Sequence, residues 1–174
     1  NLMKLLSTVV LALLAAQPAF AQQATREDFR EYCQANIGRW VGDVTWEADW
    51  PGMGKRGEKV TAYGEITLTE DGHVLRGQFV GGPGSWMWVG VYDAGAKQIR
   101  LSGADSGGSV WTTRVAKQDG KWSVVESGSL ADGTKYEARH TLTFSENGTK
   151  RTWTGSTIIP GRKADALHNV WRRV

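Results

Sequence analysis

Cysteine is nearly missing from this chain: Cys33 is the single one in 174 residues. That excludes an intramolecular disulfide and a cysteine-framed zinc site, so packing alone must hold the fold. Prolines number four and histidines three. The sequence contains no Cys-x-x-Cys, no His-Glu-x-x-His and no Gly-x-Ser-x-Gly. The familiar redox, metalloprotease and serine-hydrolase signatures are therefore absent. Charge of one sign is also lacking, with 21 Lys and Arg against 18 Asp and Glu. The basic residues are scattered apart from Arg172-Arg173, so no basic stripe suits nucleic acid. Gly81-Gly82-Pro83-Gly84 and Gly107-Gly108 do not lead into helical patterns, and neither reads as a phosphate cradle.

One apolar run stands out, and it is short. Lys4 precedes Leu5 to Ala16, Gln17-Pro18 breaks the run, and Ala19-Phe20-Ala21 follows. This is the layout of a secretory signal peptide with an A-x-A cleavage site. The run falls short of the ~20 residues a membrane helix needs. No other segment is apolar enough to span. The expectation is cleavage after Ala21 and export to the periplasm or the extracellular space. Residues 1–21 are then the leader, 22–38 a helical segment and 39–174 one domain, large enough to bury a core.

Nine Trp and 22 Gly are the unusual abundances. The spacing predicts one helix over Thr25 to Asn36. Thr25 suits the N-cap, Asp28 three residues on completes a capping-box variant, and Gly38 stops the helix. Phe29, Tyr32, Cys33 and Ile37 share a face, and Cys33 reads as a small packed hydrophobe. After Gly38 the period drops from 3.6 to 2. Trp40 to Trp50 alternates, as do Lys59 to Thr69 and the segment from Leu75 to Phe79. Trp86 to Tyr92 is apolar on both faces, which predicts the most buried strand or the one beneath the helix. Gln118-Asp119-Gly120 and Asn147-Gly148 are hairpin turns. His168 to Val174 is the last strand. About ten strands joined by hairpins close most simply as an antiparallel up-and-down β-barrel, all-β apart from the helix, with the last strand on the first. A two-sheet sandwich is the competing arrangement. Inward glycines (Gly42, Gly64, Gly77, Gly90, Gly103, Gly155) fit the bending of a small barrel.

Gly38-Arg39-Trp40-Val41-Gly42 resembles the Gly-x-Trp-x-Gly opening of lipocalin-like barrels, the calycin superfamily. Val89-Gly90-Val91-Tyr92-Asp93 and Val170-Trp171-Arg172-Arg173 resemble segments of uncharacterised bacterial secreted proteins of that type. The resemblance spans roughly residues 38–174. It implies a barrel closed between its first and last strands, and binding of a small molecule as the superfamily's habit. Nitrobindin-like haem barrels belong to the same group and carry their haem-ligating histidine near the C-terminus, where His168 lies.

The candidate site follows from strand parity. His140 shares a face with Tyr136, Ala138, Leu142 and Phe144, so an imidazole points into an apolar interior. It reads as a ligand contact, a haem ligand, an acid/base group, or a core histidine bonded to a neighbour. Tryptophans in strands are core by default, but Trp46, Trp88, Trp111 and Trp153 could line a flat ligand's cavity. Arg172 could hold a ligand carboxylate if it faces inward, although both faces of its strand are mixed. Glu126 faces inward on simple parity and outward if a bulge falls at Val124-Val125. The leading expectation is an exported binding protein for a small apolar or aromatic molecule, without cofactor. Its ligand contacts are Trp46, Trp88, Trp111, Tyr136, His140, Trp153 and Arg172. The alternatives are a haem barrel with His168 or His140 as axial ligand, and a small enzyme using His140 with Glu126 or Tyr136.

Overall fold

The structure, a computed structural model, describes residues 23–174. The leader expected over residues 1–21 lies outside the described residues. Helix α1 spans Arg26–Asn36. Its capping box forms as the sequence predicts: the Thr25 hydroxyl accepts from the Asp28 amide at 3.0 Å, and the Asp28 carboxylate accepts from the Thr25 amide at 2.7 Å. Glu27 and Asp28 occupy the positive end of the helix dipole. Ile37 ends the helix and Gly38, at φ +129°, turns the chain into the sheet.

Ten strands follow: β1 Gly38–Thr45, β2 Lys59–Thr69, β3 Val74–Gly81, β4 Gly84–Asp93, β5 Gln98–Asp105, β6 Val110–Gln118, β7 Lys121–Ser129, β8 Lys135–Ser145, β9 Lys150–Ile158 and β10 Leu167–Arg173. Each pairs antiparallel with the next, and β10 pairs with β1 from Trp40 opposite Arg173 to Asp43 opposite Val170. The sheet is a closed barrel, not a sandwich. Asp119 and Gly120, at φ +49° and +73°, form the two-residue β6–β7 turn that the sequence predicts. No described helix is long and apolar enough to cross a membrane.

Two expectations need correction. The strand predicted over Trp40 to Trp50 ends at Thr45, and Trp46 onward folds over the barrel mouth as a loop reaching Glu58. The Asn169 side chain accepts from the Thr45 amide at 2.9 Å where the ladder stops. Strand β4 is not the most buried, because Met87, Val89 and Val91 on its outer face are 40–47 % exposed. It is the strand against which the helix lies: the Arg26 guanidinium sits over the Tyr92 ring at 5.4 Å, and the Tyr92 hydroxyl donates at 3.2 Å to the carbonyl of Ala24, just ahead of the helix.

Helix α1 plugs one end of the barrel. Phe29, Tyr32 and Cys33 enter a continuous core with Trp40, Ile66, Leu75, Ile99, Trp122 and Leu142. Burial of this apolar surface is the main source of stability. The carbonyls left over at the helix C-terminus find donors from the barrel. Arg173 donates to Ile37 and Ala35 at 2.7 and 2.9 Å, and the Trp40 indole donates to Asn36 at 2.8 Å.

Six inward glycines follow a rule the sequence hides, whereas Gly90 faces Leu75 and Leu101 instead of a ring. Gly42 lies opposite Trp171, Gly64 opposite Phe79, Gly77 opposite Trp88, Gly103 opposite Trp111, Gly128 opposite Tyr136 and Gly155 opposite His140. In each pair the ring lies against the glycine backbone, where a β-carbon would collide with it. The glycines make room for aromatic rings to fold flat along the inner wall.

Candidate functional site

Those rings wall a partly open cavity of about 230 Å³ inside the barrel. Trp46, Trp88, Trp111, Tyr136, His140 and Trp153 all line it. Ring contacts set its shape: Phe79 stacks on Trp86 at 5.3 Å between centroids, Trp86 meets Trp46 edge-on at 6.1 Å, and Trp153 meets His140 edge-on at 6.2 Å. Trp50, on the loop after β1, folds over the mouth and meets Tyr136 edge-on at 5.0 Å.

Arg172 and His168 are not there. The inward residues of β10 are Leu167, Asn169 and Trp171, so His168 and Arg172 fall on the outer face, both exposed. Arg172 lies 3.6 Å from the Glu146 carboxylate at the surface. Trp171 decides the parity, because its ring fills the space above Gly42. His73 is also exposed, in the β2–β3 turn. A haem reading therefore loses His168. His140 does face the cavity, but 230 Å³ lies below the roughly 300–1,000 Å³ of sites for drug-sized ligands, and a haem is larger still. The space present does not fit that group.

The polar groups of the cavity sit in two places. Near the loop end are Glu47 and Glu126. Glu126 does point inward, because β7 pairs with β8 without a bulge from Trp122 to Ser129. Its carboxylate accepts from the Tyr136 hydroxyl at 2.9 Å and the Thr113 hydroxyl at 3.2 Å. Burial pushes its pKa up to about 7, partly offset by those two hydrogen bonds, with the nearby Glu47 charge raising it further. Glu47 accepts from Thr157 at 3.2 Å, and burial raises its pKa as well. The Trp50 indole N–H lies close enough to counter that rise slightly, but outside hydrogen-bond geometry. The Tyr136 phenol is held in its protonated form by burial and by the carboxylate it donates to.

At the helix end stands Arg151, 2 % exposed. Its guanidinium lies over the rings of Trp40 at 4.4 Å, Trp171 at 4.9 Å and Phe79 at 5.5 Å. It donates to the Asn36 side chain at 3.3 Å. Burial lowers its pKa to about 9, which leaves it a cation at neutral pH. Between the two groups, His140 is held neutral, its pKa lowered by burial to about 4. Its Nε2 has no hydrogen-bond partner, and neither do the Nε1 atoms of Trp46 and Trp50. No hydrogen bond joins His140 to Glu126 or Tyr136, so the acid/base pair weighed from the sequence is not assembled. The described residues contain no cluster of His, Cys, Asp and Glu fit to hold a metal ion.

Sequence reasoning missed Arg151 and Glu47. Arg151 shares strand parity with Trp153, so its inward direction was readable, but a charge in a core was not expected. Glu47 falls on the outer parity of β1 and reaches the interior only because the strand ends two residues earlier. The closed antiparallel barrel is compatible with the lipocalin-like fold that the opening motif resembles. No protein-family model matches the chain. No curated protein matches it significantly.

Proposed function

We propose that this is an exported binding protein that holds one small, flat, mostly apolar molecule inside its barrel. The observation that carries the reading is the partly open space walled by indole rings, with four buried polar nitrogens on that wall (Trp46 Nε1, Trp50 Nε1, His140 Nε2 and Arg151 Nε) left without partners. Buried polar groups are ordinarily satisfied, and an unsatisfied one costs about 1–3 kcal/mol. A ligand bearing one or two polar atoms would offset part of that cost while its rings pack against Trp46, Trp86, Trp88 and Trp153. The volume suits a molecule of one or two rings. Export is supported by the leader-like residues 1–21 alone.

The test is titration of the mature chain with indole and with 1-naphthol, followed by tryptophan emission and by native mass spectrometry. Saturable quenching and a one-to-one complex are expected with at least one of them. Quenching that rises linearly without saturation, and no complex in the mass spectrum, would refute interior binding.

A further inference from the structure

Resting on that binding reading, we infer that the loop-end half of the cavity is a site for a small organic cation, its charge held by Glu47 and Glu126 and its faces by Trp46, Trp50, Trp86 and Trp111.

The helix end of the same interior shows how this barrel stabilises a cation. Arg151 has no carboxylate partner; three aromatic faces and one amide oxygen surround it. Cation–π contacts of this kind are worth up to ~2 kcal/mol or more each when desolvated. The loop end repeats the aromatic surroundings and adds two carboxylates, yet contains no cation. Every ion pair among the described residues involves other groups. Glu126 meets only hydroxyl donors. Glu47, 8 % exposed, accepts from the Thr157 hydroxyl, and only its own amide and the Trp50 indole N–H lie close enough to favour its charge further; none of the three is a cation. Buried carboxylates without a partner cation are costly, because neutral hydroxyls replace only part of their hydration.

The direction of the field agrees. Asp105 also borders the cavity at the loop end, while Arg151 stands at the far end. A positive group entering the barrel is drawn to the carboxylates and kept from the guanidinium. An anion would have to reach Arg151 past the carboxylates and compete with the rings already covering it.

Protonation supplies a second readout. The titratable groups facing Glu126 are Glu47, Asp105, Tyr136 and His140. Between pH 6 and 8 the phenol stays protonated and the imidazole neutral, while Glu126, with its pKa pushed up to about 7, titrates there. A bound cation favours the ionised form and releases a proton to buffer.

The experiment compares three probes on the wild-type chain by tryptophan quenching and calorimetry. They are phenyltrimethylammonium, which is permanently charged; tert-butylbenzene, its neutral counterpart of the same shape; and benzoate. The cation is expected to bind about tenfold or more tighter than tert-butylbenzene at pH 8. That preference should shrink several-fold at pH 6, and binding near pH 7 should release protons. In E47Q/E126Q the ratio should fall towards one; the wild-type comparison stands alone if that variant does not fold. Equal or tighter binding of tert-butylbenzene overturns the inference and leaves interior binding intact. Tighter binding of benzoate overturns it in favour of Arg151 as an anion site. Quenching by none of the three, nor by indole or 1-naphthol, removes both readings together.

Discussion

The two ends of this barrel are built from the same materials and finished differently. Both combine tryptophans with buried charges. At the helix end the hydrogen bonds run from barrel donors to helix acceptors: Trp40 to Asn36, Arg173 to Ile37 and Ala35, Arg151 to Asn36, and Asn36 in turn to Tyr32 at 2.8 Å, with the Nε atoms of Arg151 and Arg173 left unpartnered. At the loop end the indole nitrogens of Trp46 and Trp50 are unpaired, and the carboxylates have hydroxyls in place of cations. On the proposed reading, the contrast separates a structural plug from a receptive site within one core: the plug's cation is covered by rings, while the loop end holds carboxylates without a cation. Where the chain satisfies its own polar groups, the residues serve the fold.

The contrast breaks most clearly with one tryptophan from each end. Trp40→Ala removes a ring 1 % exposed that supports two guanidinium groups, and should cost about 3–5 kcal/mol in urea or thermal denaturation. Trp46→Ala, only part-buried, should cost about 1–2 kcal/mol and act mainly on ligand binding. Similar losses at both positions would erase the distinction.

Next in size is a pair of opposed pH effects of about 3 kcal/mol each. Glu126 has a folded pKa of about 7 against an ordinary 4.5, so its contribution to stability is lost as pH rises from about 4.5 to 7. His140 has a folded pKa of about 4 against 6.5, so its contribution is gained as pH rises from about 4 to 6.5. In the wild type they largely offset one another, with Glu47 adding to the Glu126 side. Denaturation midpoints of E47Q/E126Q should therefore climb with pH across this window, and those of H140N should fall. Parallel pH profiles for the two variants would contradict the assignment of both groups.

The glycine rule predicts a smaller effect. Gly77→Ala should displace the Trp88 ring, cost about 1–3 kcal/mol and weaken binding of the interior ligand. Unchanged Trp88 packing in a crystal structure of that variant would show that the ring does not depend on its glycine. Smallest of all, His168→Ala and Arg172→Ala on the outer face should stay within about 0.5 kcal/mol and leave binding untouched. A loss of affinity in either would return them to the site from which β10 parity excludes them.

The barrel was readable because the alternation from Trp40 onward is regular and the hairpin turns carry Asp-Gly or Asn-Gly. Five of the seven expected contacts (Trp88, Trp111, Tyr136, His140 and Trp153) lie in the cavity for the same reason, and Trp46 reaches it from the loop after β1. What escaped the sequence lay where the rhythm stops or both phases look alike. In β10, Leu167 and Trp171 compete with Val170 and Val174 for the inside, and only the space above Gly42 settles which wins. In β4, both faces are apolar although one meets water. Glu47 escaped because a strand end cannot be placed to within two residues by alternation. Arg151 escaped because its stabilisation is collective: Trp40, Phe79 and Trp171 come from β1, β3 and β10, and no local pattern links them.

Closure between β1 and β10 has a kinetic side. During folding, Trp40 and its neighbours must wait for Arg173 and the residues before it, so the first strand keeps a bare hydrogen-bonding edge until the final strand arrives. Contacts so remote in sequence form late and slowly. Until then a half-built sheet, apolar on its inner side, is open to pairing with another chain. Helix α1 precedes β1 and can cover one end of that sheet early, which gives the plug a second role as a guard against misassembly.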